Sequence, residues 1–168
     1  MDTLVCGIDP ALGTTGYAVV RCVAEALTIV DAGVCRSDEQ EALPRRLAAI
    51  QRDIASVLSE YRPDVVAVEE LYSHYRHPRT AILMGHARGV ILFAAACADV
   101  EVRSYAATRI KRFLTGNGRA TKQQMQRAVQ TTLGLTEAPE PFDVADALAI
   151  AVCCAADMRR PAPAEALP

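Results

Sequence analysis

Residues Thr3 to Val20, TLVCGIDPALGTTGYAVV, decide how the rest of the chain is read. A short apolar run, Leu4-Val5-Cys6, leads to a single carboxylate, Asp9. A turn-rich segment with Pro10, Gly13 and Gly16 follows, and then a second apolar run, Tyr17 to Val20. Two apolar runs split by glycine and proline predict a β-hairpin. The first run has no polar alternation, the pattern of a central strand covered on both faces. An acid at the end of such a strand stands at the rim of the sheet, where ligands bind. Aspartate is equally suited to closing the turn itself, so locally both readings of Asp9 stand.

Outward from the hairpin, a third apolar run, Leu27 to Val34, is closed by Ser37-Asp38-Glu39-Gln40. Leu43, Leu47, Ile50, Ile54 and Leu58 then recur at helical spacing, with Pro44 where a helix start tolerates it and Pro63 as the stop. Val65 to Val68 reads as a fourth strand, again unbroken and therefore parallel to the first, and it ends on Glu69 and Glu70. A polar, aromatic and basic loop, Tyr72 to Arg79, precedes a long helix from about Thr80 to Ala98. A fifth strand, Val100 to Tyr105, and a short helix, Thr108 to Leu114, come next. Thr121 with Gln124 forms a capping box that opens a helix to Leu133. After Glu137-Ala138-Pro139-Glu140-Pro141, the last helix spans Phe142 to Met158. A meander followed by alternating helices and strands is an α/β plan on a five-stranded mixed sheet flanked by helices. Residues 1–158 are expected to form one domain and 159–168, rich in Pro and Ala, a disordered tail.

A chain of 168 residues, 51% hydrophobic and 23% charged, is long enough to bury a substantial core and is not a disordered one. No secretion leader is evident, and the long helix carries His86 and Arg88, so no membrane span is expected. Six cysteines (6, 22, 35, 97, 153, 154) fall in apolar runs without zinc-type spacing, which suits buried thiols in a reducing cytoplasm. His74, His77 and His86 likewise lack metal spacing. The net charge of −2 hides an asymmetry: residues 74–127 hold ten Lys or Arg against Asp99 and Glu101. A basic middle on an acidic chain fits a phosphate-binding face beside a carboxylate site; ordinary solvated helix faces are the plainer reading.

Adjacent first and fourth strands would project Asp9 and Glu69 from neighbouring ends. Asp143 and Asp146 are three apart in the first turn of the last helix and share a face, though acids there also serve as caps and dipole partners. Four carboxylates at one site would repel unless hard divalent cations compensated them, and an oxygen-only set suits Mg²⁺ or Mn²⁺ better than zinc. Two such ions can activate a water and stabilise the leaving oxygen of a phosphodiester.

GIDPALGTTGYAVV, AVEELY, HARG, TGNGRATKQQM and DVADALAIA, in this order and spread over Leu4 to Met158, resemble the RuvC family of Holliday-junction resolvases. The first motif alone also resembles the phosphate loop of actin-like sugar kinases, but 168 residues leave no room for their second domain. The resemblance implies a ribonuclease H-like fold, a homodimer, and paired, symmetric nicking of four-way DNA junctions in recombination and repair with two Mg²⁺ per site. It also implies the RuvA–RuvB branch-migration complex as a partner. It maps the catalytic, metal-holding acids onto Asp9, Glu69, Asp143 and Asp146, and puts Lys122 near the scissile phosphate. Tyr72 falls where the family has an aromatic that stacks in the opened junction. The candidate DNA contacts are Tyr72, Arg76, Arg79, Lys111, Arg112, Arg119 and Lys122. Two positions depart from the family pattern: Ala11 where glycine is usual, which would alter the turn if positive φ were needed, and Thr121 where an acid is common. A related nuclease acting on structured RNA is the alternative. Ala81, Gly85 and Gly89 recur every four residues on the long helix, a small-residue stripe for a partner helix or for the protein's own sheet.

Overall fold

The computed structural model describes residues 2–71 and 78–159. In chain order its elements are β1 (Asp2–Asp9), β2 (Thr14–Val23), β3 (Ala26–Arg36), α1 (Leu43–Tyr61), β4 (Val65–Glu69), α2 (Pro78–Cys97), β5 (Glu101–Tyr105), α3 (Ala107–Thr115), α4 (Lys122–Leu133) and α5 (Phe142–Met158). They build one sheet in the order β3-β2-β1-β4-β5. β1, β2 and β3 pair antiparallel, whereas β4 and β5 run parallel to β1. The unbroken apolar run of β1 is thus the middle strand, with Val5, Cys6 and Ile8 fully buried.

Strand alternation divides the core in two. Val5, Ala18, Val20, Val65 and Ala67 face α5 and, beyond it, α3 and α4. Cys6, Ile8, Val19, Val66 and Val68 face α1 and α2. α5 is enclosed between sheet and helices, which is why, Asp146 apart, it is apolar and buried from Val144 to Ala155. α1 is amphipathic and buries Ile50, Ile54, Val57 and Leu58; it ends at Arg62 in the left-handed region (φ 47°), just before Pro63.

Three expectations need correction. The helix over Arg79–Cys97 does reach the length and mean hydropathy (1.5) of a membrane span, yet it is docked on the sheet through Ala87, Ile91, Ala94 and Ala95. Only 22% of that stretch is buried, so a second apolar face, including Ile82 and Phe93, stays uncovered. Cys97 is exposed at the helix end, unlike the other five cysteines, which are buried as predicted. Arg159 belongs to the folded part, since its guanidinium donates to the carbonyls of Glu25 (3.2 Å) and Ala26 (3.3 Å). The rest of the expected tail, 160–168, lies outside the described residues.

Candidate active site

β1 and β4 run in register from Val5 beside Val65 to Ile8 beside Val68, so the next residue on each strand, Asp9 and Glu69, reaches the same level. Ile8 and Val68 face the α1 layer; alternation turns the two acids to the opposite side, toward α5. α5 brings the second pair. It crosses β1 and β2 where those strands have glycine: a Cβ on Gly7 would lie 2.7 Å from the Ala151 nitrogen and closer still to the Ala147 carbonyl, and one on Gly16 would overlap the Asp143 carbonyl. Only glycine permits that approach. Gly16 is also the residue paired with Asp9 across the hairpin, which ties the start of α5 to the first acid.

Asp143 is not spent on closing its helix. Pro141 is the N-cap, no side chain caps the helix, and the Gln126 amide holds the preceding connector by donating to the Pro139 carbonyl (2.9 Å). Nor does Asp9 close its turn. Thr15, fully buried, does so: its hydroxyl donates to the Ala11 carbonyl (2.7 Å). On the far side Ser37 donates to the Leu12 carbonyl, and the Arg46 guanidinium donates to the Ser37 hydroxyl (3.0 Å) and the Leu12 carbonyl (3.4 Å). No periodicity in the sequence marks Thr15, Ser37 or Arg46 for this role, because each reaches back to a turn. Ala11 is not among the residues with positive φ (Ala24, Arg62 and Asp99), so its methyl group imposes no strain on the turn.

Asp9, Glu69, Asp143 and Asp146 line one cleft of about 300 Å³ together with Lys111 and Lys122. Burial is the largest influence on the Asp9 carboxyl, followed by the charges of Glu69, Asp146 and Asp143; against the pull of Lys122 they push it up to about 8. Burial and Asp146 raise Glu69 to about 7, against Lys111 and Lys122. Burial also raises Asp146, with Lys122 opposing, Asp143 adding and Lys111 opposing. Among the described residues no three of the acids stand close enough together to hold one ion. The donor chemistry fits a hard divalent ion: oxygen only, overcharged, and half-buried.

Lys122 opens α4 beneath the predicted capping box, in which the Gln124 amide donates to Thr121 Oγ1 (3.2 Å) and the Thr121 amide to Gln124 Oε1 (2.9 Å). A lysine in a first turn costs about 0.3–1 kcal/mol against the helix dipole, and a cap of this kind returns about 1 kcal/mol, so the helix tolerates it. Its ammonium stands 5.8 Å from the Phe142 ring centre, beside the start of α5.

Of the nine bases of the positive segment among the described residues, three are engaged with the fold itself. Arg103 pairs with Glu101 (2.7 Å), Arg109 pairs with Asp157, and Arg88 bonds to the sheet. Of the predicted DNA contacts, Lys111 and Lys122 reach the cleft; Arg112 lines a separate pocket with Arg109 and Phe113. Arg79 and Arg119 are exposed, at the start of α2 and in the loop before α4. Tyr72 and Arg76 lie outside the described residues, as do His74 and His77. His86 is exposed.

Residues 5–154 match the family described as crossover junction endodeoxyribonuclease RuvC. The protein of that name from Rhodopirellula baltica is 52% identical over 149 residues, covering 89% of this chain and 84% of that one. The one from Alkaliphilus oremlandii is 41% identical over 150 residues, with 89% and 91% covered. Among solved structures, T. thermophilus RuvC in complex with Holliday junction substrate superposes with a TM-score of 0.86 at 37% identity, covering 94% of this chain and 95% of that one. The yeast mitochondrial Holliday junction resolvase Ydc2 shares the fold (TM-score 0.65) at 15% identity. The ribonuclease H-like architecture implied by the motifs is therefore the observed one, and the chain belongs to the RuvC family of crossover junction endodeoxyribonucleases.

Proposed function

We propose that the protein resolves four-way DNA junctions by paired, symmetric, cation-dependent hydrolysis of phosphodiester bonds in recombination and repair. One observation carries the reading: the acids of β1, β4 and α5 share a single cleft with Lys111 and Lys122 in a chain of this family. Asp9, Glu69, Asp143 and Asp146 are the residues that would hold two Mg²⁺, with Mn²⁺ able to substitute. Bound there, the ions supply Lewis-acid polarisation of the phosphate and a water acidified toward neutral pH. Lys122 and Lys111 meet the phosphate oxygens and offset the charge that develops on them. Arg79, Arg112 and Arg119 give the remaining attraction to the phosphate backbone, with Arg76 adding to it, and Tyr72 stacks on a base of the opened junction. The nuclease unit comprises residues 1–158 together with Arg159, working in the cytoplasm, where its free cysteines stay reduced.

Incubating the protein with a synthetic four-way junction, its matched duplex and a structured RNA, with and without Mg²⁺, tests this. The junction alone should be cut, at two symmetric positions, and only with the cation. Comparable cutting of the RNA would overturn the choice of substrate. Lys122→Ala should slow cutting by about 10²-fold while weakening junction binding only slightly, as for a group that acts on developing charge. Equal losses in both would reduce Lys122 to a phosphate anchor.

Two like strands must be cut, and a two-fold dimer presents two like sites to them. The uncovered face of α2 supports that assembly. A Cβ on Gly89 meets nothing within 4 Å, so this part of the small-residue stripe is not packed on the protein's own sheet; Gly85 faces Leu71, 3.7 Å away. Gly89→Leu is therefore the cleaner disruption. It should give a folded monomer, by sedimentation and circular dichroism, that nicks a cruciform plasmid without making paired cuts. A monomeric parent protein that resolves the cruciform in one binding event would sink the dimer. The RuvA–RuvB branch-migration complex is the proposed further partner, by family membership.

A further inference from the structure

Arg88, in the HARG motif, belongs to the positive segment, yet its guanidinium is taken up by the sheet. Nε donates to the backbone carbonyl of Glu69 at 3.0 Å and Nη2 to the Ser104 hydroxyl at 2.7 Å. Glu69 is the last residue of β4, and Ser104 the last but one of β5. At this level β1 offers Glu69 little: the β1–β4 ladder ends at Ile8–Val68, and Pro10 has no N–H to give. On the β5 side Glu69 closes the ladder opposite Tyr105, where the Glu70 amide donates to the Tyr105 carbonyl (2.9 Å), and the Glu69 carbonyl is left to Arg88. Ala87, fully buried, seats this turn of α2 on the sheet.

We propose that Arg88 is a positioning residue: its two-point hold on β4 and β5 fixes the backbone of Glu69 and so the direction in which that carboxylate enters the cleft. This rests on the reading of Glu69 as a site acid. The hold is mechanical. The cations that act on the Glu69 carboxyl are Lys111 and Lys122, whereas Arg88 reaches the backbone behind it. A planar guanidinium spans two acceptors in fixed geometry; an ammonium on a flexible stem keeps the charge and loses the fork. Arginine at this place therefore does a task that lysine cannot.

Arg88→Lys, Arg88→Ala and Glu69→Gln, compared with the parent protein, provide the test. Four readouts are needed: single-turnover cutting of a four-way junction, junction affinity in Ca²⁺, the salt dependence of that affinity, and hydrogen exchange at the Glu70 amide. Arg88→Lys should slow cutting about 10-fold to 10²-fold, the usual cost of a slightly misplaced group, with affinity and salt slope unchanged and Glu70 exchanging faster. If Arg88→Lys cuts like the parent while Arg88→Ala binds more weakly with a salt slope smaller by about one, Arg88 is a phosphate contact and the proposal fails. Arg88→Lys carries the test alone should Arg88→Ala not fold. A Glu69→Gln variant that cuts at the parental rate removes Glu69 from the site, and the proposal with it. An inert Glu69→Gln beside a fully active Arg88→Lys overturns the proposal only.

Discussion

Asp9→Asn should reduce junction cutting by at least about a thousandfold and leave junction affinity nearly unchanged, because affinity comes from bases meeting phosphates and not from the acids. The same substitution should make the cation-free protein more stable. The Asp9 carboxyl stands at about 8 in the fold against an ordinary 3.8, with burial the main cause and the neighbouring acids next. Between those values the folded chain holds a proton that the unfolded chain has released, so stability falls as pH rises. This contribution is fully present below about pH 4 and is lost as pH passes through about 8. Glu69, raised to about 7, acts with the same sign over a narrower window. The melting temperature of the cation-free parent should therefore drop between pH 5 and pH 9. Asp9→Asn should flatten that drop and melt higher at the alkaline end. Mg²⁺ should stabilise the parent far more than the variant, since a ligand of the folded state raises stability by mass action. A variant that melts lower than the parent at every pH would mean that Asp9 is a structural hydrogen-bonding residue and not a repelled one.

Gly16→Ala should be nearly as damaging, although it alters no charged group. The added methyl would overlap the Asp143 carbonyl, and backbone on both sides leaves nothing flexible to yield. Forcing α5 off the sheet costs about 1–3 kcal/mol, as overpacked cores do. For a domain of this size that is a drop of several degrees in melting temperature. Cutting should fall much further than the folded fraction does, because Asp143 and Asp146 shift relative to Asp9 and Glu69. Gly13→Ala is the matched control: its methyl would meet only Glu39 Oε1, at 3.7 Å. If Gly16→Ala cuts in proportion to its folded fraction, the close contact matters for stability alone.

Much of this architecture is legible in the chain. α4 and α5 begin where Thr121 and Pro141 say they should, because caps and proline act locally. β2 and β3 run beyond their apolar cores, from Thr14 to Val23 and from Ala26 to Arg36, since ladder hydrogen bonds belong to the backbone and admit polar side chains. The four acids can each be picked out, but their meeting depends on the parallel register of β1 with β4 and on the glycine contacts of α5, both long-range. A charge tally carries no direction: Lys111 and Lys122 line the cleft, whereas Arg88, Arg103 and Arg109 are engaged with the fold itself. The apolar residues of α2 fall on no single face, so its sequence does not show which side meets the sheet, nor that Cys97 is left outside.

The contact of α5 with Gly7 and Gly16 has a consequence for how this sequence can change over time. There the distance between helix and sheet is set by main chain touching main chain, with the Ala151 methyl the one side chain at the contact, so it leaves almost no side-chain volume to vary. The sheet acts as a partition between two evolutionary regimes. On the α1 and α2 side, residues such as Val19, Ile54 and Ile91 can trade bulk with one another without disturbing the acids, provided that Arg88 keeps its hold on the Glu69 carbonyl. On the α5 side two hydrogen atoms in place of methyl groups hold the reacting geometry, and drift there is permitted only around them.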